Sequence, residues 1–331
     1  MDNVVFIVGM GIGKNIMGTV PLRGVKKKYP DAKITVVASH PEVFRGNPNV
    51  DMVYQVGATP NFWELYKGAL ILKSEPYYHR DFLAKKKHLS EVWCEQLDVP
   101  FDNTTPEIFL NHKEKKKGLE YVRGKNKPVL LMQFQGGAAP QAQQQGQGQP
   151  CPKHGGGQQQ AQVQMVCPKM FIRNLDAEVA KNISEALSDK YFTVLLQYPT
   201  QQYWQGAELL YSNLRDAFSV INSANKILCI DSFGMHAATA LGKKPVVCWA
   251  GTSPKNLGYK QNINLVMECC DDPECGRPNS FLLDVDWKGM PWDCPLGEPC
   301  TRHDEKDVIE ALTAKTKKPA SKSTSKRKSK T

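Results

Sequence analysis

The sequence predicts an α/β protein of two doubly wound domains, and three observations carry that expectation. Short apolar runs of strand length alternate with segments of helical periodicity, first over residues 4–97 and again over 129–249. The connections are short, as suits parallel strands joined by crossover helices. Finally, 331 residues with 41% hydrophobic content suffice for two cores, and no run of about 18 apolar residues is present to span a membrane.

The elements follow in order. The opening MDNVVFIVGMGIGK has no basic start and no small-residue cleavage site, so Val4–Val8 reads as a first strand and not as part of a signal peptide. Asn15–Tyr29 is an expected helix, apolar at Ile16, Val20 and Leu22. It closes with Lys26, Lys27 and Lys28, which suit a helix C-terminus, and Pro30-Asp31 ends it. Lys33–Ala38 and Met52–Val56 are the next strands. Tyr77–Leu97 reads as one long helix, with Phe82, Leu89, Trp93 and Leu97 on a common face.

A second unit starts near Pro128. Strands are expected at Val129–Phe134, Phe192–Gln197, Lys226–Ile230 and Pro245–Trp249. Helices are expected at Leu175–Leu187 after Asn174, then at Leu214–Ala224, Gly234–Leu241 and Asp304–Ala314. The expected division is therefore 1–125 and 126–314, joined near Arg123–Lys127, followed by a disordered basic tail at 315–331.

Residues 138–165 form a Gln/Gly-rich stretch with almost nothing to pack, read as a disordered insertion. Cys151, His154 and Cys167 near it fit a flexible loop better than a metal site. The net charge of +10 is concentrated in the tail, which holds eight basic residues and no acid. Such a tail reads as a contact with nucleic acid or an anionic membrane surface, or as a solvated extension; composition does not separate these. Ten cysteines without a secretory signal point to a reducing, cytoplasmic compartment, peripheral to the inner face of the membrane if the tail binds there. Cys229 and Cys248 sit in apolar runs and read as small core residues.

Gly9, Gly11 and Gly13 lie between the first strand and the first helix. Glycines there let a ligand approach the backbone and the amides of a helix N-terminus. Neither the dinucleotide fingerprint nor the phosphate loop fits, because Lys14 and Ile16 occupy the third-glycine positions and Lys14 is followed by Asn15. A ligand site and a plain tight turn both remain open for this loop.

The segment IDSFGMHAATALGKKPVVCWAGTSP, residues 230–254, is more informative. Asp231 and Ser232 stand at the carboxyl end of a strand, where open α/β sheets bind ligands. Either side chain can cap the next helix. The amides of Phe233, Gly234 and Met235 would then face an incoming phosphate, with Gly234 leaving space for a diphosphate. His236 in the first turn could donate to a phosphate or sugar oxygen. Ala250-Gly251-Thr252-Ser253 forms a second small polar loop on the same edge. Together these outweigh a mere helix cap with a core histidine.

The pattern Asp-Ser-x-x-Met-His-x-Ala-x-Ala-Leu-Gly-x-x-Pro-Val-Val followed by Gly-Thr-Ser-Pro resembles glycosyltransferase family 9, the heptosyltransferase-like enzymes. Asn15–Pro30 and the Gly-Asn-Pro-x-Val-Asp of residues 46–51 resemble its front end, so the likeness runs over most of 4–314. The resemblance implies two Rossmann-like domains facing a cleft, the GT-B type. It implies inverting transfer of a sugar from a nucleotide-sugar donor to a saccharide or lipid-linked saccharide acceptor, with no metal or other cofactor required for catalysis. By position, Asp231 would touch the donor sugar; Ser232, Phe233, Gly234, Met235 and His236 would hold the diphosphate, with Thr252 and Ser253 nearby. Gly11, Gly13 and Asn15 would form the acceptor-side loop. The family commonly has an Asp as general base where this chain has Lys14. Another group then acts as base, or Lys14 binds a charged acceptor or phosphate, or the chain binds nucleotide-sugars with altered or no catalysis. A phosphate-binding lysine expected after the first strand of the second domain has no clear counterpart beyond Lys169.

Cys269, Cys270, Cys275, Cys294 and Cys300 fall within residues 269–303, with His303 close behind. A structural zinc on Cys270, Cys275, Cys294 and Cys300 is one reading. Free thiols in a surface loop are the other.

Overall fold

The computed structural model describes residues 2–58, 61–136, 173–199, 201–270 and 296–314. The insertion at 138–165, the tail at 315–331, and Cys151, His154, Cys167, Lys169, Cys275 and Cys294 lie outside the described residues.

The first sheet comes from β1 (Asn3–Val8), β2 (Lys33–Ala38), β3 (Met52–Gln55) and β4 (Leu70–Leu72), all parallel in the order β3-β2-β1-β4. Val4, Val5, Phe6 and Val8 of β1 are all fully buried, and Val4, Phe6 and Val8, on one face, join the same apolar cluster as residues of the helices α1 (Ile12–Met17) and α2 (Thr19–Lys28). The other face meets the single-turn helix α3 (Phe62–Leu65) and Tyr66, whose hydroxyl accepts from Thr35 at 3.1 Å.

Two expected helices are each interrupted. Asn15–Tyr29 divides into α1 and α2 at Gly18, where a Cβ would lie 3.3 Å from the Trp93 ring. Tyr77–Leu97 divides into a 3₁₀ turn (Pro76–Tyr78), α4 (Arg80–Leu83) and α5 (Leu89–Gln96). Its apolar spacing is real, but two histidines act as caps inside it. His79 Nδ1 accepts from the Asp81 amide and His88 Nδ1 from the Ser90 amide, each at 3.2 Å. An N-cap begins a new helix whatever the periodicity that runs through it.

The chain then forms α6 (His112–Arg123), opened by a reciprocal capping box between Asn111 and Glu114. Beyond it lie β5 (Val129–Gln133), α7 (Ala177–Ala186), β6 (Phe192–Leu195), β7 (Glu208–Leu209), α8 (Leu214–Ser223), β8 (Lys226–Cys229), α9 (Phe233–Ala240), β9 (Val246–Trp249), α10 (Pro254–Leu257), β10 (Ile263–Val266) and α11 (Glu305–Thr313). The second sheet is also parallel, in the order β10-β9-β8-β5-β6-β7. Every residue of β5 is buried. Val129 and Leu131 join one apolar cluster while Leu130 and Met132 join another on the opposite face. A central parallel strand is covered on both sides, which is why it reads as an unbroken apolar run.

α6 precedes the expected boundary at 125, yet it packs on α8 of the second half. A Cβ on Gly118 would lie 2.0 Å from the Ser219 carbonyl oxygen, so the two backbones meet directly. Arg215 of α8 binds Glu114 through two bonds of 2.7 Å and also donates to the carbonyls of Glu42 and Phe109. No helix of the described residues is long and apolar enough to cross a membrane.

Candidate functional site

Both sheets start in the middle and grow outward in two directions. The order reverses between β1 and β4 in the first and between β5 and β8 in the second. At such a reversal the loops leaving the two carboxyl ends diverge and open a crevice. The two crevices meet in one cavity of about 680 Å³. Gly11, Gly13, Lys14, Glu75 and Tyr77 line it from the first sheet; Gln133, Asp231, Ser232, Phe233, His236, Thr252 and Arg173 line it from the second.

α1 and α9 touch where the halves come closest. A Cβ on Gly13 would be 2.9 Å from His236 Cδ2, so this glycine is needed for the approach itself. Asn15 is fully buried. Its amide donates to the carbonyls of Met10 (3.1 Å) and Gly11 (2.9 Å), while its oxygen accepts from the His40 amide (3.2 Å). Asn15 therefore clips the glycine loop together and does not line the cavity. Within that loop Met10 holds φ = +66°, a strained conformation for a residue other than glycine.

Lys14 points inward and is 5% exposed. Its ammonium bonds Glu75 Oε2 at 2.5 Å and lies over the Tyr77 and Trp93 rings, 5.5 and 5.7 Å from their centroids.

On the second sheet, Ser232 occupies the N-cap of α9, but its side chain makes no capping bond. The amides that follow are only partly open. Gln133 Oε1 accepts from the Gly234 amide at 2.9 Å, and the Met235 amide closes on the Ser232 carbonyl at 3.1 Å. A Cβ on Gly234 would lie 2.5 Å from Gln133 Oε1, so the glycine makes room for Gln133 and not for a ligand. Met235 packs into the core and is fully buried. Phe233 is left at the mouth of the helix. Ser253 caps α10 through the Lys255 amide and is absent from the cavity wall.

His236 is not positioned as a charged donor. Its Nδ1 pairs with the Tyr259 hydroxyl at 2.6 Å, and Nε2 is 3.9 Å from Asp231. Burial, then His88 and Arg173, push its pKa down to about 3, so the ring is neutral. Burial drives Asp231 the other way, raising its pKa, while Arg173 and the neighbouring Thr252 hydroxyl partly oppose the rise.

Of the expected site residues, the structure gathers Gly11, Gly13, Lys14, Asp231, Ser232, Phe233, His236 and Thr252 about one cavity. It sets Asn15, Gly234, Met235 and Ser253 behind its wall. Cys300 is buried beside Ala250 and Cys269, and Cys270 is half-buried. His303 is held by the Trp249 carbonyl at 2.9 Å. Sequence reading missed Glu75, Tyr77, Gln133, Arg173 and Tyr259.

No protein-family profile matches this chain, and no curated protein matches it. Solved structures do. A glycosyl transferase family 9 protein from Veillonella parvula is 18% identical, covers 94% of this chain and 96% of its own, and superposes with a TM-score of 0.63. The ADP-heptose lps heptosyltransferase II of E. coli is 15% identical over 85% of this chain and 99% of its own, TM-score 0.53. The dodecameric iron-containing heptosyltransferase TibC, solved with ADP-D-beta-D-heptose, is 12% identical over 94% and 76%, TM-score 0.56. These identities establish the fold: parallel α/β sheets arranged as in glycosyl transferase family 9 heptosyltransferase structures.

Proposed function

We propose that this chain is a glycosyltransferase of the heptosyltransferase type, moving a sugar from a nucleotide-sugar donor to a saccharide acceptor with inversion. The observation that carries this reading is the cavity shared by the order reversals of the two parallel sheets, with Arg173 and a helix mouth on the donor side. Arg173 and the open end of α9 supply positive charge for a leaving diphosphate. Arg173 fills the role for which the sequence offered only Lys169. Asp231, buried beside it, faces the sugar. The neutral His236 offers one ring face to the cavity while Tyr259 fixes its orientation. Amide side chains of Gln133 and Gln135 add polar contacts on the same wall. Placing the acceptor against the first sheet puts its hydroxyl across the cavity from the leaving group, as a single inverting displacement requires.

The charge for the leaving group comes from protein groups, so a divalent metal is not needed in this scheme. A structural zinc on Cys270, Cys275, Cys294 and Cys300 is a separate proposal, checked by metal analysis of the purified chain at about one equivalent.

The test is a thermal-shift and calorimetric panel of nucleoside diphosphates and their sugars. At least one should bind, and Arg173→Ala should weaken it about tenfold or more. If no nucleotide or nucleotide-sugar binds the native chain, the reading fails. The burial of Lys14 in a pair with Glu75 favours a second reading, a nucleotide-sugar-binding protein without turnover. Release of nucleoside diphosphate from a bound donor separates the two.

A further inference from the structure

We propose that Glu75 is the catalytic base that accepts the acceptor's proton, with Lys14 as its positioning residue; this rests on the transferase reading above.

Glu75 lies just past the carboxyl end of β4, beside the order reversal of the first sheet, and it lines the cavity. Its two oxygens differ. Oε2 is bonded to Lys14 at 2.5 Å, whereas Oε1 is shut off from water and has no hydrogen-bond partner among the described residues. A carboxylate oxygen left in that state is costly, and native proteins rarely tolerate it without a use. Once the carboxylate turns, an acceptor hydroxyl in the cavity would supply the missing bond. The terminal torsion of glutamate is soft, so a small rotation presents either oxygen.

The other acids on the wall fit less well. Asp231 is fully buried on the donor side, against Arg173. Glu42 follows β2, on the far side of β1 from the reversal. Tyr77, Glu75 and Asp231 all line this cavity, Glu75 from the first sheet and Asp231 from the second, and after burial itself both acids lie near enough to raise the Tyr77 pKa. That leaves an acceptor between Glu75 and the donor sugar. In the step, the acceptor O–H proton passes to Glu75. The freed electron pair forms a bond to the anomeric carbon. The bond from that carbon to the diphosphate oxygen breaks, and the nucleoside diphosphate leaves with its electrons. Lys14 fixes the carboxylate by one oxygen while the other reacts.

The experiment uses the full chain with ADP-heptose and a set of UDP- and GDP-sugars. Binding is read by calorimetry and release of nucleoside diphosphate with water as acceptor. Glu75→Gln should bind donor with unchanged affinity and lose at least 100-fold in turnover. Glu75→Asp should lose less, and Glu42→Gln should stay within threefold of native. Lys14→Met should lower kcat about tenfold with donor KM unchanged, and Lys14→Arg should recover most of it. Failure of every donor to bind overturns the transferase reading. Binding without any release by the native chain, or release by Glu75→Gln at the native rate, leaves that reading's donor site intact and overturns the role of Glu75. A loss that falls on Glu42→Gln in its place also overturns it.

Discussion

Among the partly buried cation–carboxylate pairs of the described residues, Arg215–Glu114 and Lys14–Glu75 are built differently. Arg215 and Glu114 form a forked pair in which the guanidinium also holds two carbonyls, and Glu114 Oε2 accepts from the Asn111 amide as well. Arg215 also holds Glu114 below the usual carboxylate range. Lys14 and Glu75 share one bond, and the remaining carboxylate oxygen has no partner among the described residues. The saturated pair ties residues 42, 109 and 114 to α8, far along the chain. The unsaturated one faces a cavity. The difference teaches that a buried charge with every bond filled serves architecture, whereas one with a bond to spare is available for chemistry.

Arg215→Met is the most direct way to break the comparison. It strands Glu114 and should cost about 3–5 kcal/mol in urea unfolding. A loss below about 1 kcal/mol would mean the pair is not the clasp it resembles. Gly118→Ala attacks the same junction without touching charge. The new methyl meets the Ser219 backbone, which cannot yield as a side chain would. A cost of about 1–3 kcal/mol is expected, read from the same unfolding curves.

Acidity probes the cavity wall. His236 and His88 have pKa values lowered by burial to about 3 and about 4, so the unfolded chain takes up protons more readily than the folded one between those values and about 6.5. Stability is therefore complete above pH 6.5 and is lost as pH falls through that window, on the order of 2 kcal/mol per histidine between pH 7 and pH 5. Asp231, raised by burial, pushes in the opposite sense above its unfolded value of 3.8. Urea melts at the two pH values, repeated on His88→Phe, check the sign. The smallest effect sharpens the contrast. Lys14→Met should change stability by under about 1 kcal/mol, because the Glu75 side chain is 35% exposed and water can replace its partner.

Much of the fold was legible because strong periodicity and capping residues agree. β1, β2, β5, β8 and β9 are apolar runs bounded by turn residues, and their ends fall within a residue or two of the expected positions. β4 was not legible: three residues, Leu70–Leu72, carry no period, and with them went the position of Glu75. α6 was not expected either: a helix rich in lysine offers no broad apolar stripe, and its capping box, Asn111-x-x-Glu114, shows only in the structure. The sequence pointed to residues that do share one cavity, but not to all the atoms that line it. The segment at 231–236 does open on the cavity, but which amides stay open depends on Gln133, a residue 101 positions away from Gly234. Arg173 lies in no motif; the residues after it are tied to the stretch that follows β5, Leu175 N–H donating to the Phe134 carbonyl and Asn174 Oδ1 accepting from the Gly136 amide.

The register of the strands also bears on how the chain is made. The first sheet is complete once residue 72 has emerged, since all its partners lie within β1 to β4. The second sheet cannot close until much later: Leu130 of β5 waits for Lys226, and α11, at 305–313, packs against α7 and β9. On a ribosome, therefore, all strands of the first sheet are made while β5 still lacks β8 along one of its edges. Synthesis speed through residues 134–226 becomes a determinant of yield, and a helper that shields β5 during that interval should raise the fraction of molecules that reach the native state.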